Sequence, residues 1–137
     1  MIKLSDTTWF WIRLAKIALV SYWLFLFVAT HLPSDRLPRQ VPNADKFMHF
    51  AAYAVLSFLL AVVVTWKFPA RMRTYGAIFA VTATYAAVDE LLQIPVPGRF
   101  GDVWDFTADM LGSLTGLAIF HVLTLLTGWR RLKTCQP

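Results

Sequence analysis

The chain has 137 residues, enough for one domain, and is 58% hydrophobic but only 15% charged. A soluble domain has about 45–50% apolar and ~25% charged residues, so the composition excludes a water-surrounded globular fold and points to a lipid bilayer as the first partner. The net charge of +5 raises nucleic acid as a partner, but the basic residues stand in short clusters beside apolar runs, which is membrane topology; no nucleic-acid partner is expected.

A helix needs roughly 20 apolar residues to cross the bilayer core, and four segments approach that length. The first runs from about residue 9 to 32. Its centre, Ile17 to Thr30, carries no charge, and Arg13 and Lys16 near its start can snorkel to the interface. Thr30, His31, Leu32 and Pro33 follow it where a small-x-small cleavage site would stand in a signal peptide, so it reads as a retained helix. The connector from Pro33 to Asp45 holds three prolines, which break helices.

The second segment, residues 47–66, is interrupted only by His49. A short basic connector, Lys67 to Arg73, leads to the third, residues 74–93, whose uncharged core ends at Val88. Ile94 to Gly101 contains Pro95, Pro97 and Gly98, a turn composition. The fourth segment, residues 106–129, carries one charge, Asp109. Six Trp, eleven Phe and four Tyr suit two interfacial aromatic belts. The single cysteine, Cys135, has no partner for a disulfide or a thiolate metal cage. The expected fold is all-α: one domain over residues 1–137, an antiparallel bundle of four transmembrane helices.

Charge sets the expected orientation. Lys3, Arg13, Lys16, Lys67, Arg71, Arg73, Arg130, Arg131 and Lys133, nine of the 13 basic residues, fall on one side of such a bundle. Arg36, Arg39, Lys46 and Arg99 fall on the other with seven of the eight acids. The basic side is expected to be cytoplasmic, with both termini inside and the Pro-containing connectors outside.

The outer side gathers the ionisable residues. Asp45, His49 and Tyr53 are spaced i, i+4, i+8 on one stripe of the second helix, with Lys46 beside them. The third helix ends outside with Asp89, Glu90 and Gln93. From Arg73 to Asp89 is about 24 Å at 1.5 Å per residue, which places Asp89 just within the hydrocarbon edge. Asp102, Asp105, Asp109, Gly112 and Gly116 follow steps of 3, 4, 3 and 4 on the fourth helix, a heptad-like stripe. Its small-xxx-small end lets another helix approach closely. Charges at membrane depth cost ~2.5–3.5 kcal/mol each unless paired or solvated, so Asp89, Glu90 and Asp109 need partners, for which Lys46, His49 and Arg99 are candidates.

Plainer roles stand beside these. Asp45 suits a helix cap, Tyr53 suits packing, Gln93 suits a polar helix end, and Arg99 suits neutralisation of Asp102 and Asp105. His31 and His121 look isolated and receive no role. One histidine with several carboxylates can in principle hold a divalent ion, but no second histidine falls at ligand spacing. No metal and no cofactor are therefore expected.

The runs DKFMHFAAYAVLSF and DELLQIPVPGRFGDVWDFTADMLGSLTG resemble the VanZ-like family of small multi-pass bacterial membrane proteins. The shared pattern falls on Asp45, Lys46, His49 and Tyr53, then Glu90, Gln93, Pro97, Gly98 and Arg99, then Asp105, Asp109, Gly112 and Gly116. The family usually has Asn where this chain has Asp109. The resemblance implies a place in the bacterial cytoplasmic membrane and, through the name-giving member, a link to low-level resistance to the glycopeptide teicoplanin; it implies no reaction.

The first functional expectation is an envelope factor. It would bind a lipid-linked or glycopeptide-type ligand at the outer leaflet through Asp45, Lys46, His49, Tyr53, Asp89, Glu90, Gln93, Arg99, Asp105 and Asp109. The second is an intramembrane hydrolase or transferase acting on a lipid headgroup, with His49 or Glu90 as general acid or base and Arg99 holding an anionic group. The third is a structural or partner-binding protein, for which the sequence names no protein partner.

Overall fold

The computed structural model describes residues 6–32, 44–96 and 101–127. Lys3, Arg36, Arg39, Pro97, Gly98, Arg99, Arg130, Arg131, Lys133 and Cys135 lie outside the described residues. Within them the chain is all-helical: α1 (Asp6–Thr30), α2 (Ala44–Lys67), α3 (Met72–Gln93) and α4 (Val103–Leu126). α1 from Trp9 onward, α2 and α4 are long and apolar enough to cross a membrane. α3 has 22 residues, about 33 Å at 1.5 Å per residue, which matches a hydrocarbon core of about 30 Å. Its three threonines and its Asp89, Glu90 and Gln93 make it less apolar than the others. Three helices therefore qualify as spans by length and composition, and the fourth by length alone.

α2 and α4 both begin three residues ahead of the apolar runs at 47 and 106, because their first turns are polar. Asp102, in an extended conformation, caps α4 by accepting the Trp104 backbone N–H at 2.9 Å, and Asp105 occupies the first turn. Both placements favour a helix N-terminus, which has unpaired N–H groups and a positive dipole end. Asp45 is the second residue of α2, so it complements the dipole from within the first turn and does not stand ahead of the helix as a cap.

The patterning is inverted relative to a soluble protein. Large apolar side chains cover the outside: Phe10, Trp11, Ile17, Leu24, Phe25 and Val28 on α1, and Leu111, Ile119 and Leu125 on α4 are all exposed. Buried positions include Ser57, Thr82 and Thr124, whose hydroxyls donate to backbone carbonyls, Ser57 to Ser113, Thr82 to Phe79 and Thr124 to His121; the buried Ser113 hydroxyl has no hydrogen-bond partner among the described residues. In lipid each backbone and side-chain polar group must find its partner inside the protein. α1 is attached along one seam, burying Ile12, Leu19 and Leu26 at steps of seven, and its Tyr22 hydroxyl donates to the Ala52 carbonyl at 3.0 Å.

The most extensive contact is between α2 and α4. Gly112 lies against the carbonyl of Phe50, and Gly116 against the carbonyl of Ala54 and the Ser57 hydroxyl. The step is four residues on both helices, so α2 and α4 run in the same direction and in register. At this crossing Ser57 Oγ donates to the Ser113 carbonyl at 2.9 Å. α1 and α3 also run in a common direction: Trp23 meets Tyr85 edge-on at 5.2 Å, and Thr30 bonds Asp89.

The glycines make this approach possible. A Cβ at Gly112 would collide with the Phe50 carbonyl group, and one at Gly116 with Ala54 and Ser57, whereas a Cβ at Gly76 on α3 meets nothing within 4 Å. Backbone obstacles cannot rotate away, so overpacking should cost at least the usual ~1–3 kcal/mol. Gly112→Ala and Gly116→Ala are expected to lower the thermal unfolding midpoint in detergent, and Gly76→Ala to leave it unchanged or raise it.

Candidate functional site

α1 and α3 end where α2 and α4 begin, and the acidic side chains collect at that end. Asp45, Asp89, Glu90, Asp102, Asp105 and Asp109 meet one lysine, Lys46, and two histidines, His31 and His49, among the described residues there. At the other end the described basic residues Arg13, Lys16, Lys67, Arg71 and Arg73 are all exposed.

The larger of two networks joins α2, α3 and α4. Lys46 Nζ donates to Asp102 Oδ2 at 2.7 Å and to Asp105 Oδ1 at 2.9 Å. Asp102 also caps α4, and its own backbone N–H donates to Glu90 Oε2 at 2.9 Å. Lys46, and after it the Trp104 N–H, hold the Asp102 carboxyl below the usual carboxylate range. Deeper in, His49 Nδ1 is 3.0 Å from Oδ1 of the fully buried Asp109, and His49 Nε2 is 3.9 Å from Asp105 Oδ2. Glu90 is 9% exposed. Its Oε1 is buried and has no hydrogen-bond partner among the described residues. One ligand atom from each of His49, Glu90 and Asp105 lies within 4.8 Å of the other two.

The smaller network ties α3 to α1. Buried Asp89 accepts from the Thr30 hydroxyl at 3.0 Å through Oδ1 and from Gln93 Nε2 at 2.9 Å through Oδ2. His31 Nδ1 donates to the Phe27 carbonyl at 2.8 Å, stands 3.9 Å from Asp89 Oδ1, and its ring stacks on Phe27. Both oxygens of Asp89 are thereby engaged.

The fold thus brings Lys46, His49, Glu90, Asp105 and Asp109 together but turns Asp89 and Gln93 towards α1. Asp45 reaches the margin, 3.9 Å from Lys46 Nζ. Tyr53 is buried with its ring stacked 6.0 Å from Tyr85, and its hydroxyl has no partner among the described residues. Pro97, Gly98 and Arg99 lie outside the described residues. Asp102, read in sequence as the first member of a stripe and as a partner of Arg99, is the hub of the larger network, with Lys46 as its described cation. His31 is not isolated, for the reasons above, and His121 Nδ1 is 3.3 Å from the Tyr75 hydroxyl at the opposite end. No local pattern marks either pairing, since the partners lie 58 and 46 residues apart in sequence.

Chemically, an ionised Asp109 that accepts from Nδ1–H leaves the lone pair of His49 on Nε2, the nitrogen near Asp105. A basic nitrogen and two carboxylates then share one space at the end of three helices. That set can accept O–H and N–H donors, move a proton, or hold a cation.

A family model described as VanZ/LLP1 matches residues 3–124. That is most of the chain, and the protein belongs to this family of membrane proteins. No curated relative and no solved structure matches it.

The Asp102 linkage has a definite sign. A carboxylate held below its unfolded pKa of ~3.9 contributes stability that is present above that value and is lost as pH falls through the folded one. Hydrogen-exchange protection of the Trp104 amide is expected to stay level from about pH 7 to pH 5 and to fall below about pH 4. In Asp102→Asn, which keeps an acceptor but has no charge to lose, the fall should be smaller.

Proposed function

We propose that the chain is an antiparallel four-helix bundle in the bacterial cytoplasmic membrane, both termini inside, that binds the polar headgroup of an amphiphilic or lipid-linked envelope ligand at the outer leaflet. The orientation rests on the nine basic residues expected on one side against seven acids on the other, the asymmetry that sets topology in short loops. The binding reading is carried by one observation: three helices deliver His49, Glu90 and Asp105 to one space while Glu90 keeps a buried oxygen with no hydrogen-bond partner among the described residues. The Asp89 carboxylate, by contrast, has both of its oxygens hydrogen-bonded.

The excess of carboxylates favours hydroxyl, amide or amine groups of a headgroup, and Arg99 is the residue assigned to an anionic group. The convergence of His49 and Glu90 also supports a second reading, an intramembrane hydrolase or transferase in which one of them moves a proton.

Two measurements test these assignments. Cys135 is the single cysteine, so a membrane-impermeant maleimide should leave it unlabelled in intact cells and label it after lysis. Asp45→Cys in a Cys135→Ser chain should react from outside, and the reverse pattern would overturn the orientation. For binding, the full chain in nanodiscs is titrated with a polyprenyl-diphosphate-linked sugar, with phosphatidylglycerol and with teicoplanin, following tryptophan fluorescence. Saturable binding of one probe, weakened at least about tenfold, or ~1.4 kcal/mol, in Glu90→Gln and Arg99→Ala, is the expected result. No binding of any, or equal binding by the variants, would sink the proposal; release of a cleaved or transferred headgroup would establish the second reading.

A further inference from the structure

We propose that His49, Glu90 and Asp105 form a binding site for one divalent transition-metal cation, with Asp109 as the residue that positions His49. The site goes beyond the headgroup reading, and either can hold without the other.

The geometry comes first. A metal bound at about 2.1 Å by nitrogen and oxygen donors sets those donors about 3–4 Å apart. His49 Nε2 and Asp105 Oδ2 stand at 3.9 Å, and the three ligand atoms lie within 4.8 Å of one another. Closing the wider separations takes about an ångström of side-chain adjustment.

The orientation of the imidazole is the second ground. A ligating histidine typically donates its other ring N–H to a carboxylate, which fixes the tautomer and aims the free nitrogen at the metal. His49 Nδ1 against Asp109 Oδ1 at 3.0 Å, with Nε2 on the side of Asp105, has that form. Asp109 is almost fully buried, so this contact is shielded from competing water.

Glu90 supplies the independent sign of a missing partner. Its carboxylate is nine-tenths buried, one oxygen is anchored by the Asp102 N–H, and the other has no partner among the described residues. A buried acceptor left unmade costs ~1–3 kcal/mol, more when charged; a cation bound by the Glu90 carboxylate would remove that cost. Lys46 does not fill the role, because its ammonium is committed to Asp102 Oδ2 and to the far oxygen of Asp105, Oδ1. Asp105 thereby divides its oxygens, one for Lys46 and one facing His49.

Donor chemistry narrows the ion. Two carboxylates with one imidazole suit Mn²⁺, Fe²⁺ or Zn²⁺ better than Mg²⁺ or Ca²⁺, which favour all-oxygen shells. A second histidine is unnecessary when two carboxylates complete the set, which is why spacing between histidines gave no signal. Three protein donors leave coordination positions for water or a ligand oxygen.

The test uses the full chain in detergent, stripped with chelator and titrated with Mn²⁺ or Zn²⁺. Wild type should bind about one ion per chain. Affinity should fall about 10–100-fold in Asp109→Asn, an outer-shell change, and by more in Glu90→Gln and Asp105→Asn. Pulsed EPR of Mn²⁺ on the wild type should show one directly bound nitrogen, absent in His49→Ala, a readout that does not depend on how well the carboxylate variants fold. No stoichiometric binding of either ion, no nitrogen coupling, or a Glu90→Gln affinity equal to wild type would overturn the assignment. None of these outcomes depends on whether the headgroup probes bind.

Discussion

The backbone-to-backbone approach of α2 and α4 is the constraint on which the rest of the structure depends. With no Cβ at Gly112 or Gly116, the helices settle against the carbonyls of Phe50 and Ala54. Lipid gives packed helices little hydrophobic drive to associate, so close van der Waals fit and interhelical hydrogen bonds carry the contact. A fit of this kind is discrete: slipping by one residue would set carbonyls against side chains. The register fixed there is handed on towards the N-termini, where Asp109 meets His49 and where Asp105 and Asp102 meet Lys46. The chemistry at the end of the helices is therefore positioned by glycines one and two turns deeper.

The lipid environment then separates the polar residues into two kinds. Asp89 has both oxygens occupied, by Thr30 and Gln93, and acts as a clasp between α1 and α3. α1 is otherwise held by the seam of Ile12, Leu19 and Leu26, the Tyr22 bond to Ala52 and the Trp23–Tyr85 contact, so a strong bond at its last turn matters to its attachment. Around His49 the accounting does not close in the same way. Glu90 retains an unpaired buried oxygen and His49 Nε2 has a carboxylate at 3.9 Å, too far for a hydrogen bond. The carboxylate of Asp89 is thus fully engaged and that of Glu90 is not, while His31 Nε2 beside Asp89 is also buried without a hydrogen-bond partner among the described residues.

Periodicity is what sequence exposes best, and the stripe from Asp102 to Gly116 shows it. Steps of 3 and 4 place five residues on one helix face, and in the structure every one of them meets α2. Adjacency is what sequence exposes worst. Asp89 and Glu90 are neighbours in the chain, yet successive residues of a helix with 3.6 residues per turn point about 100° apart, so one faces α1 and the other faces α2 and α4. Apolar runs alone begin at residues 47 and 106, and it is the i, i+4 spacing of Asp45 with His49 and the stripe from Asp102 that carry the polar first turns onto α2 and α4. α3 is the least apolar of the four helices, and its threonines Thr82 and Thr84 bond their own helix carbonyls, which makes them compatible with an apolar surround.

The same packing limits what the protein can do across its thickness. Between His49 and Lys67 on α2, and between Asp109 and His121 on α4, there is no carboxylate, histidine or lysine. The buried hydroxyls of Ser57, Thr82 and Thr124 are tied to backbone carbonyls. Proton relays in membrane proteins use chains of ionisable side chains, and the Gly112–Gly116 contact brings backbone too close to leave a water file between α2 and α4. Among the described residues no run of carboxylates, histidines or lysines links the acidic end to Tyr75 and His121 at the other. The proposed ligand or ion site is therefore reached from the end where the helices part, where His49, Glu90 and Asp105 are held together. A one-sided site of this kind suits recognition or chemistry on a molecule arriving from one leaflet, and it does not suit passage through the protein.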